Sequence, residues 1–456
     1  MKEGSLDAPT RHVIPWESPE FADKANTQAE MRRIFDICHT CRRCFNLCDA
    51  FPRLFDLIDN SSTGELDAVA SADFGKVAAA CTLCDMCFMT KCPYVPPHSF
   101  DVDFPHVMLR YRVARFKEHA TSWGRRAISN TDRNGRLARF VAPLANWAGN
   151  RRNHLLRAAL EMLADIDRRA ELPPYQRRTF MARARASSPP RDAAAPAAGR
   201  KAVLFATCFV NYNNPGIGEA TRAVLAKNGV DTQVLYPCCC GMPQFEEGDL
   251  EAVARSARKV AAAFGPYIDK GCDVIALVPS CALMLKFEWP LVVPEDEAVK
   301  KLARATFDIS EYVIDIAKKE GLVPPPSGLD GGVTLHIACH ARAQNMGQKA
   351  TEMLRLLPDT EISVIERCSG HGGSWGVLKE NFDTALKVGR PVARQAAANA
   401  KPNLASECPL AAIHILQGME AFAEGKALPE KALHPIELMA RAYGLDGFDA
   451  PQRRTE

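Results

Sequence analysis

Eight cysteines stand in two short runs within the first hundred residues. The first run has the spacing C-x2-C-x2-C-x3-C and consists of Cys38, Cys41, Cys44 and Cys48. The second has the spacing C-x2-C-x2-C-x4-C, ends just before Pro93, and consists of Cys81, Cys84, Cys87 and Cys92. A cubane iron–sulfur cluster needs four thiolates around one small volume, and a C-x2-C-x2-C loop supplies three of them. The two runs therefore predict two [4Fe–4S] clusters.

The fourth ligand of each predicted cluster comes from the other run, because two-cluster ferredoxins exchange their last cysteines. The two predicted ligand sets are Cys38, Cys41, Cys44 and Cys92, and Cys81, Cys84, Cys87 and Cys48. If each run instead closed on its own four cysteines, the number of clusters would be the same. Zinc is the alternative metal, but zinc sites use paired C-x2-C knuckles rather than triple runs. The gap before Cys92 is one residue longer than the usual spacing, so the sequence does not determine the conformation of this loop.

Seven more cysteines follow predicted strands in the second part of the chain and are candidate metal ligands. They fall into two series, Cys208, Cys239, Cys240 and Cys281, then Cys339, Cys368 and Cys408. Open parallel sheets gather their ligand sites at the carboxyl ends of the strands. We therefore expect each series to meet at one point in its own half. Cys238 is either a spare or an alternate ligand, and Cys272 is assigned to packing.

The elements that must position these cysteines alternate between strands and helices after residue 200. Predicted strands cover residues 202–206, 232–236, 274–279, 333–338, 362–366 and 404–407, with predicted helices at 219–228, 250–264, 344–357 and 381–398. This alternation predicts parallel sheets covered by helices on both faces. Two such series predict an internal repeat. The fold class is α/β with α: an N-terminal helical dicluster ferredoxin-like module, a helical connector, and two repeated α/β cysteine-rich halves.

Shifts in composition divide the chain into six predicted segments. They are a lead-in (1–30), a dicluster ferredoxin-like domain (31–105), a basic helical connector (106–186), a linker (187–200), a first cysteine-rich half (201–325) and a second (326–456). The linker is rich in alanine, serine and proline. The arginines of the connector have two interpretations. They form a solvated basic face, or they dock an acidic partner or the anionic headgroups of a membrane.

Composition and charge exclude several classes of protein. A net charge of +3 over 456 residues gives no general affinity for nucleic acid. No apolar run approaches the roughly 18–20 residues of a spanning helix, and residues 1–23 are polar, without an apolar signal core. The 17 cysteines would suit a secreted disulfide protein, but their clustering favours metal ligation in a reducing compartment. We expect a cytoplasmic location, with a peripheral position on the inner face of the membrane as the alternative.

Several short motifs also carry a family resemblance. They are Thr207-Cys208-Phe209, Cys239-Cys240-Gly241-Met242-Pro243, Pro279-Ser280-Cys281 and His336-Ile337-Ala338-Cys339-His340. They resemble the cysteine-rich (Cys-Cys-Gly) repeats of heterodisulfide reductase. With the ferredoxin-like runs, the chain resembles the family that includes the iron–sulfur subunit of anaerobic glycerol-3-phosphate dehydrogenase. The resemblance implies electron transfer through ferredoxin-type clusters and a further iron–sulfur site or sites in the repeats.

The repeats depart from the family pattern in both halves. The departures are Met284 three residues after Cys281, Ser369 in place of the second cysteine of the pair, and Ala411 three residues after Cys408. The first half keeps four cysteines, enough for one four-iron cluster. The second keeps three, which His371 or His340 would complete, since imidazole replaces thiolate in some clusters. The alternative for the second half is a decayed repeat whose thiols pack as small apolar groups.

The favoured function is an iron–sulfur electron-transfer subunit of an oxidoreductase. It would pass electrons between a partner redox protein, such as a flavoprotein dehydrogenase or a rubrerythrin-like protein, and an acceptor such as quinone. No dinucleotide or flavin motif is present in the sequence, so hydride chemistry would belong to the partner. One alternative is a reductase of disulfide, heterodisulfide or peroxide-linked substrates acting at the first-half cluster. The other is a non-redox, metal-stabilised scaffold. No catalytic residue is assigned.

Overall fold

A computed structural model of the protein describes residues 7–119, 122–422 and 428–448. Parts of the predicted lead-in (1–6), connector (120–121) and second half (423–427 and 449–456) lie outside the described residues. The described chain begins with a helical part and continues into two four-stranded parallel sheets with helices between the strands. The fold class predicted from the sequence is confirmed.

Helices make up the N-terminal part and the connector. In chain order they are α1 (Lys24–Cys41), α2 (Ala50–Asp59), α3 (Phe74–Ala80), α4 (Phe104–Lys117), α5 (Trp123–Ser129), α6 (Thr131–Ala138), α7 (Ala142–Gly149), α8 (His154–Ala164) and α9 (Phe180–Ala186). Aromatic side chains join the first four, with ring centroids 5.0 Å apart for Phe35 and Phe74 and 4.6 Å apart for Phe51 and Phe104. This apolar core fixes the helices that carry the cysteine loops.

The first cysteine-rich half is one parallel sheet with its covering helices. Its strands are β1 (Lys201–Phe205), β2 (Asp231–Leu235), β3 (Asp273–Ala276) and β4 (Thr306–Asp308), in the order β2-β1-β3-β4. Its helices are α10 (Cys208–Tyr212), α11 (Pro215–Lys227), α12 (Met242–Glu247), α13 (Leu250–Ile268), α14 (Pro279–Leu283), α15 (Trp289–Val292), α16 (Glu297–Ala305) and α17 (Ile309–Lys319). Residues 202–205 of β1 are fully buried, as a strand covered on both faces requires.

The second half repeats this topology. Its strands are β5 (Val333–His336), β6 (Ile362–Ile365), β7 (Asn403–Ser406) and β8 (Ala432–Leu433), in the corresponding order β6-β5-β7-β8. Its helices are α18 (Cys339–Arg342), α19 (Lys349–Leu354), α20 (Phe382–Asn399), α21 (Pro409–Phe422) and α22 (Pro435–Ala442). The predicted internal repeat is confirmed. Strands β4 and β8 are absent from the sequence prediction, because segments of two or three residues carry no readable period.

The connector differs from a helical rod with a solvated basic face. Arg157 is 1% exposed, and its guanidinium donates to the carbonyl oxygens of Gly149, Asp167 and Ala170. These carbonyls belong to a helix end and an irregular segment, so they lack regular partners and the buried arginine supplies the donors. The predicted linker is also fixed in place, because Arg222 of α11 donates to the carbonyl oxygen of Ser187 at 2.8 Å.

The length and apolar content of the described helices bear on whether the chain can cross a lipid bilayer. None of these helices is both long enough and apolar enough to do so.

Candidate metal centre

The end of α1 and the loop after α3 carry the two cysteine runs. Cys38 and Cys41 lie in the last turn of α1, which stops at Arg42 in the left-handed conformation (φ 52°). In the second loop Leu83 and Asp85 also have positive φ, 49° and 62°. These reversals curl the backbone so that successive N–H groups point inwards, a concave arrangement that favours negative charge.

A single π-helical turn takes up the extra residue before Cys92. Residues Cys87–Lys91 form this turn, and the N–H of Cys92 donates to the carbonyl oxygen of Cys87 at 2.9 Å. A π turn holds one residue more than an α turn. The longer gap in the second run is therefore absorbed within the loop, and Cys92 still leaves the turn towards the first run.

The eight ferredoxin-like cysteines form two groups, in which Cys81 and Cys87 are buried and the other six are half-buried. Burial raises the pKa of Cys38, and the neighbouring thiolates of Cys92, Cys44 and Cys41 raise it further. Burial likewise raises the pKa of Cys48, and its next contributions come from Cys84 and Cys81. The pKa of Cys87 is raised by burial and then by Cys84, Cys81 and Cys48. The structure thus places Cys92 beside the first run and Cys48 beside the second.

The first-half cysteines come together from the ends of three strands. Cys208 begins α10 after β1, Cys239 and Cys240 follow β2, and Cys281 lies in α14 after β3. The sulfur of Cys239 lies 3.7 Å from that of Cys208, and the sulfur of Cys281 lies 3.2 Å from that of Cys240. All four therefore occupy one site at the carboxyl edge of the first sheet.

The second-half cysteines and two histidines are arranged differently. Cys339 begins α18, and the sulfur of Cys368 accepts from the N–H of Gly370 at 3.4 Å. His371 Nε2 lies 3.5 Å from the sulfur of Cys408, while His371 Nδ1 accepts from the N–H of Gly373 at 2.8 Å. Burial lowers the pKa of His371 to about 3, so the ring is neutral. Its proton is then on Nε2, which makes His371 a hydrogen-bond donor to Cys408 in this arrangement.

His340 contacts the ferredoxin-like part of the chain. Its Nε2 lies 3.5 Å from the carbonyl oxygen of Leu83 in the second ferredoxin-like loop. Burial lowers its pKa, which favours the neutral ring. His340 therefore joins the second half to the ferredoxin-like loop.

One cavity of 370 Å³ receives the cysteines of both halves. The cysteines that line it are Cys84, Cys208, Cys239, Cys240, Cys281, Cys339, Cys368 and Cys408. The sequence predicts one meeting point in each half, and the structure differs by bringing both series to a shared space. The physical reason is that the carboxyl edges of both sheets border this cavity, where the loop after α3 covers them.

Two cysteines do not join the site. The sulfur of Cys238 lies 4.0 Å from the carbonyl oxygen of Ser256, away from the cavity lining. Cys272 is half-buried and packs against the core.

Helix α6 of the connector closes the first-half site, a role that no sequence motif indicates. Asp132 Oδ2 accepts from the N–H of Cys239 at 2.7 Å, and its other oxygen accepts from the Tyr236 hydroxyl. The Thr131 hydroxyl is buried without a partner of its own and contributes to lowering the pKa of Cys239. Asn130, whose side chain accepts from the N–H of Arg133, marks only a helix start in the sequence. Nothing in its spacing points towards sulfur.

The donor set fits an iron–sulfur group. None of the 17 cysteines, all of which lie in the described residues, is joined in a disulfide, and burial disfavours the charged form of a thiol unless a cation compensates. Among the residues that the structure describes, no three Cys, His, Asp or Glu side chains surround one point closely enough for a single ion. The N–H groups of Gly241 and Gly370 donate to the sulfurs of Cys239 and Cys368, and the Thr131 hydroxyl is a further buried donor. Thiols with such donors suit an iron–sulfur group.

Two protein-family models match the chain. Residues 26–120 match the citrate utilization protein B Fer4-like domain, and residues 202–286 match the cysteine-rich domain. The first match covers both ferredoxin-like runs, and the second covers the four first-half cysteines. The motif-based resemblance to proteins of this type is confirmed.

Curated relatives agree with these matches. One subunit of the anaerobic glycerol-3-phosphate dehydrogenase of Escherichia coli is 29% identical over 352 residues, which is 75% of this chain and 82% of that protein. Lactate utilization protein A of Bacillus pumilus is 28% identical over 39% of this chain and 75% of its own length. The Bacillus thuringiensis protein of that name is 25% identical over 41% of this chain and 83% of its own length. The chain is thus similar over most of its length to a dehydrogenase subunit, carries a Fer4-like and a cysteine-rich domain, and has iron–sulfur electron transfer as its general class of function.

Proposed function

We propose that this protein is an iron–sulfur electron-transfer subunit with two [4Fe–4S] clusters in its ferredoxin-like domain. Cys38, Cys41, Cys44 and Cys92 would hold one cluster, and Cys81, Cys84, Cys87 and Cys48 the other. Cys208, Cys239, Cys240 and Cys281 would hold a further iron–sulfur group, and Cys339, Cys368 and Cys408 another. Bound clusters would supply one-electron redox chemistry. The chain itself buries the sulfurs, orients their N–H donors and keeps water from them.

The continuity of the cysteine groups supports this proposal most directly. Cys44 contributes to the raised pKa of Cys87, which places the first group beside the second. After burial, Cys84 is the largest influence on the pKa of Cys339, which places the second group beside the second half. The raised pKa of Cys408 includes a contribution from Cys281 of the first half. Neighbouring sulfur groups thus follow one another through the molecule, and Cys84 lines the same cavity as the cysteines of both halves, which is consistent with an electron path.

We propose that the protein binds a membrane surface, where it passes electrons to the acceptor. Ten of the 14 large hydrophobic side chains exposed among the described residues lie between residues 123 and 163. The most exposed of them are Trp123, Leu137, Phe140, Leu155, Met162 and Leu163. Arginines of the same helices flank them, and this combination suits an anionic lipid interface. A peripheral position on the inner face of the membrane would bring the protein to a quinone, while a flavoprotein dehydrogenase or a rubrerythrin-like protein would donate electrons.

Sedimentation with lipid vesicles tests the membrane contact. We expect the protein to sediment with phosphatidylglycerol vesicles, and a Phe140→Asp/Leu155→Asp variant to remain in the supernatant. Leu356→Asp, a change at an exposed leucine elsewhere on the molecule, is the matched control. If the wild-type protein does not sediment with these vesicles, the exposed apolar surface between residues 123 and 163 would instead be assigned to a partner protein.

A second candidate function has one observation in its favour. Cys208 and Cys281 line a cavity with room beside them, which suits the reduction of a disulfide or peroxide-linked substrate at the first-half site. Turnover of a small disulfide by the isolated, iron-loaded protein would support this alternative.

Metal analysis after anoxic purification tests the main proposal. About eight irons per chain would mean that only the ferredoxin-like sets are loaded, and about twelve or more would extend the clusters to the cysteine-rich halves. Cys44→Ser should lower the iron content by about one cluster, whereas Cys272→Ser should leave it unchanged. A colourless protein that carries zinc would refute the proposal.

A further inference from the structure

A thin wall separates the cysteine-lined cavity from a polar cleft of 670 Å³. Charged residues from the connector and the second half line the cleft, among them Arg112, Arg115, Arg125, Asp165, Lys379 and Glu380. Four residues line both spaces, namely Thr82, Glu246, Gly372 and Ser374. Glu246 is the ionisable side chain among these four. It therefore stands at the boundary between the polar cleft and the cavity that holds the sulfur groups.

Backbone contacts hold the Glu246 side chain in the wall. Glu246 lies near the end of α12 and is half-buried. The backbone of Ser374 lies close enough to its carboxyl group to act against the rise in its pKa. Gly373 presses against the same group, since a Cβ at Gly373 (φ 64°) would lie 2.5 Å from Oε1. The backbone of the glycine-rich segment 370–374 thus lies directly against the Glu246 side chain.

The nearest cation does not neutralise the carboxyl group through a hydrogen bond. Arg112 of α4 directs its N–H groups to carbonyl oxygens, at 2.7 Å for Glu246 and 3.1 Å for Ala78. Burial raises the pKa of Glu246 to about 8, which the charge of Arg112 opposes and that of Glu247 reinforces. The side chain can therefore exchange a proton near neutral pH.

We propose that Glu246 takes up a proton from the cleft when an electron arrives at the cysteine-lined cavity. The partner donor supplies the electron. A water O–H bond in the cleft breaks, its hydroxide passes to bulk solvent, and a Glu246 carboxylate oxygen takes the proton in a new O–H bond. When the electron leaves, this bond breaks and the proton returns to water. The physical reason is that an added negative charge is costly in a buried site unless a positive charge accompanies it. The inference rests on the proposed function, because it needs clusters on these cysteines.

Redox titrations of the iron-loaded protein between pH 6 and pH 10, followed by electron paramagnetic resonance, test this coupling. Proton uptake on reduction lowers the midpoint potential as the pH rises, by up to about 59 mV per pH unit for one proton per electron. We expect this slope in the wild-type protein and its loss in Glu246→Gln. Glu247→Gln is the matched control, since Glu247 lines only the cleft, and it should keep the slope.

Infrared difference spectra of the wild-type protein give a measurement that does not depend on any variant. Reduction near pH 9, where most of the oxidised protein carries the Glu246 carboxylate, should add the carbonyl band of a protonated carboxylic acid. An iron-loaded wild type with pH-independent potentials or without this band would overturn the role of Glu246, as would Glu246→Gln with an unchanged slope. Iron is counted in the same samples. A protein without iron would contradict the proposed function itself, so the two failures are distinguishable.

Discussion

The sulfur of Cys239 lies among several hydrogen-bond donors. The N–H of Gly241 donates to it at 3.5 Å, and the thiol of Cys208 lies 3.7 Å away. The pKa of Cys239 is lowered mainly by the thiols of Cys208 and Cys240, with a further contribution from Thr131, although burial opposes the shift. Donors aimed at one sulfur stabilise negative charge there, which is the main way in which a protein adjusts an iron–sulfur potential.

Thr131→Val tests this effect at a single residue. The change removes the hydroxyl with little change in volume, so the iron content should stay the same. The first-half midpoint potential should fall by about 40 mV, because the unpaired hydroxyl would donate to a sulfur of the bound group, and such a hydrogen bond is worth roughly 1 kcal/mol to the reduced, more negative state. Redox titration measures the shift. Thr131→Ser keeps a hydroxyl and should retain the wild-type potential, and equal potentials in the valine and serine variants would contradict the role of Thr131.

Helix α22 shows how one element is tied to the end of a neighbouring strand. His434 caps α22 by accepting from the N–H of Ile436 at 3.2 Å, and Glu437 accepts in return from the N–H of His434 at 2.8 Å. The backbone of Glu407, just beyond β7, lies close enough to the His434 ring to favour its protonated form. Burial lowers the pKa of His434 to about 3, so the cap works with a neutral ring.

Acid should therefore weaken this cap. The folded pKa of His434 lies below the unfolded value of about 6.5, so its stabilising effect is complete above that pH and declines as the pH falls towards 3. Between pH 7 and pH 5 the contribution of His434 to the free energy of unfolding should fall by about 2 kcal/mol. His434→Asn keeps a capping oxygen but does not titrate. Urea unfolding at both pH values should show a larger decrease in the free energy of unfolding for the wild type than for this variant. Equal decreases would exclude the contribution of His434.

Across the whole molecule, Arg11 joins four parts of the chain. From the lead-in it reaches Asp85 at 2.8 Å in the second cysteine loop, Asp103 at 2.9 Å before α4, and Glu288 at 2.8 Å in the first cysteine-rich half. Its side chain is only 11% exposed. The buried carboxylates of Asp85 and Glu288 and the half-buried one of Asp103 are stable beside the guanidinium because the opposite charges compensate each other.

Arg11→Met should destabilise the protein by about 3–5 kcal/mol, since Asp85 and Glu288 would stay buried without the guanidinium. The free energy of unfolding in urea measures this loss under anoxic conditions. His12→Ala is the matched control, because the His12 side chain is 72% exposed and pairs with Asp101 at the surface. Its effect should stay below about 0.5 kcal/mol. Similar effects for the two variants would refute the linking role of Arg11.

Local pattern determined a large part of this protein. The order of a helical module followed by two repeated α/β halves is readable because apolar periods and turn residues act over short distances. The types and spacing of the cysteines are local as well, so the candidate ligands were available from the sequence. The boundaries shifted by a few residues, as for α11, which the sequence predicted at 219–228 and which spans Pro215–Lys227.

Only the tertiary structure decided how these local pieces meet. It brought the cysteines of both halves to one cavity, placed Thr131 and Asp132 of the connector over the first-half sulfurs, and set Glu246 in the wall of the cavity. Arg157, which the sequence assigned to a basic surface, became a buried donor to carbonyl oxygens. These contacts join segments far apart in the chain or depend on which side of a helix faces inwards. They follow from the packing of whole elements, and no short stretch of sequence encodes that packing.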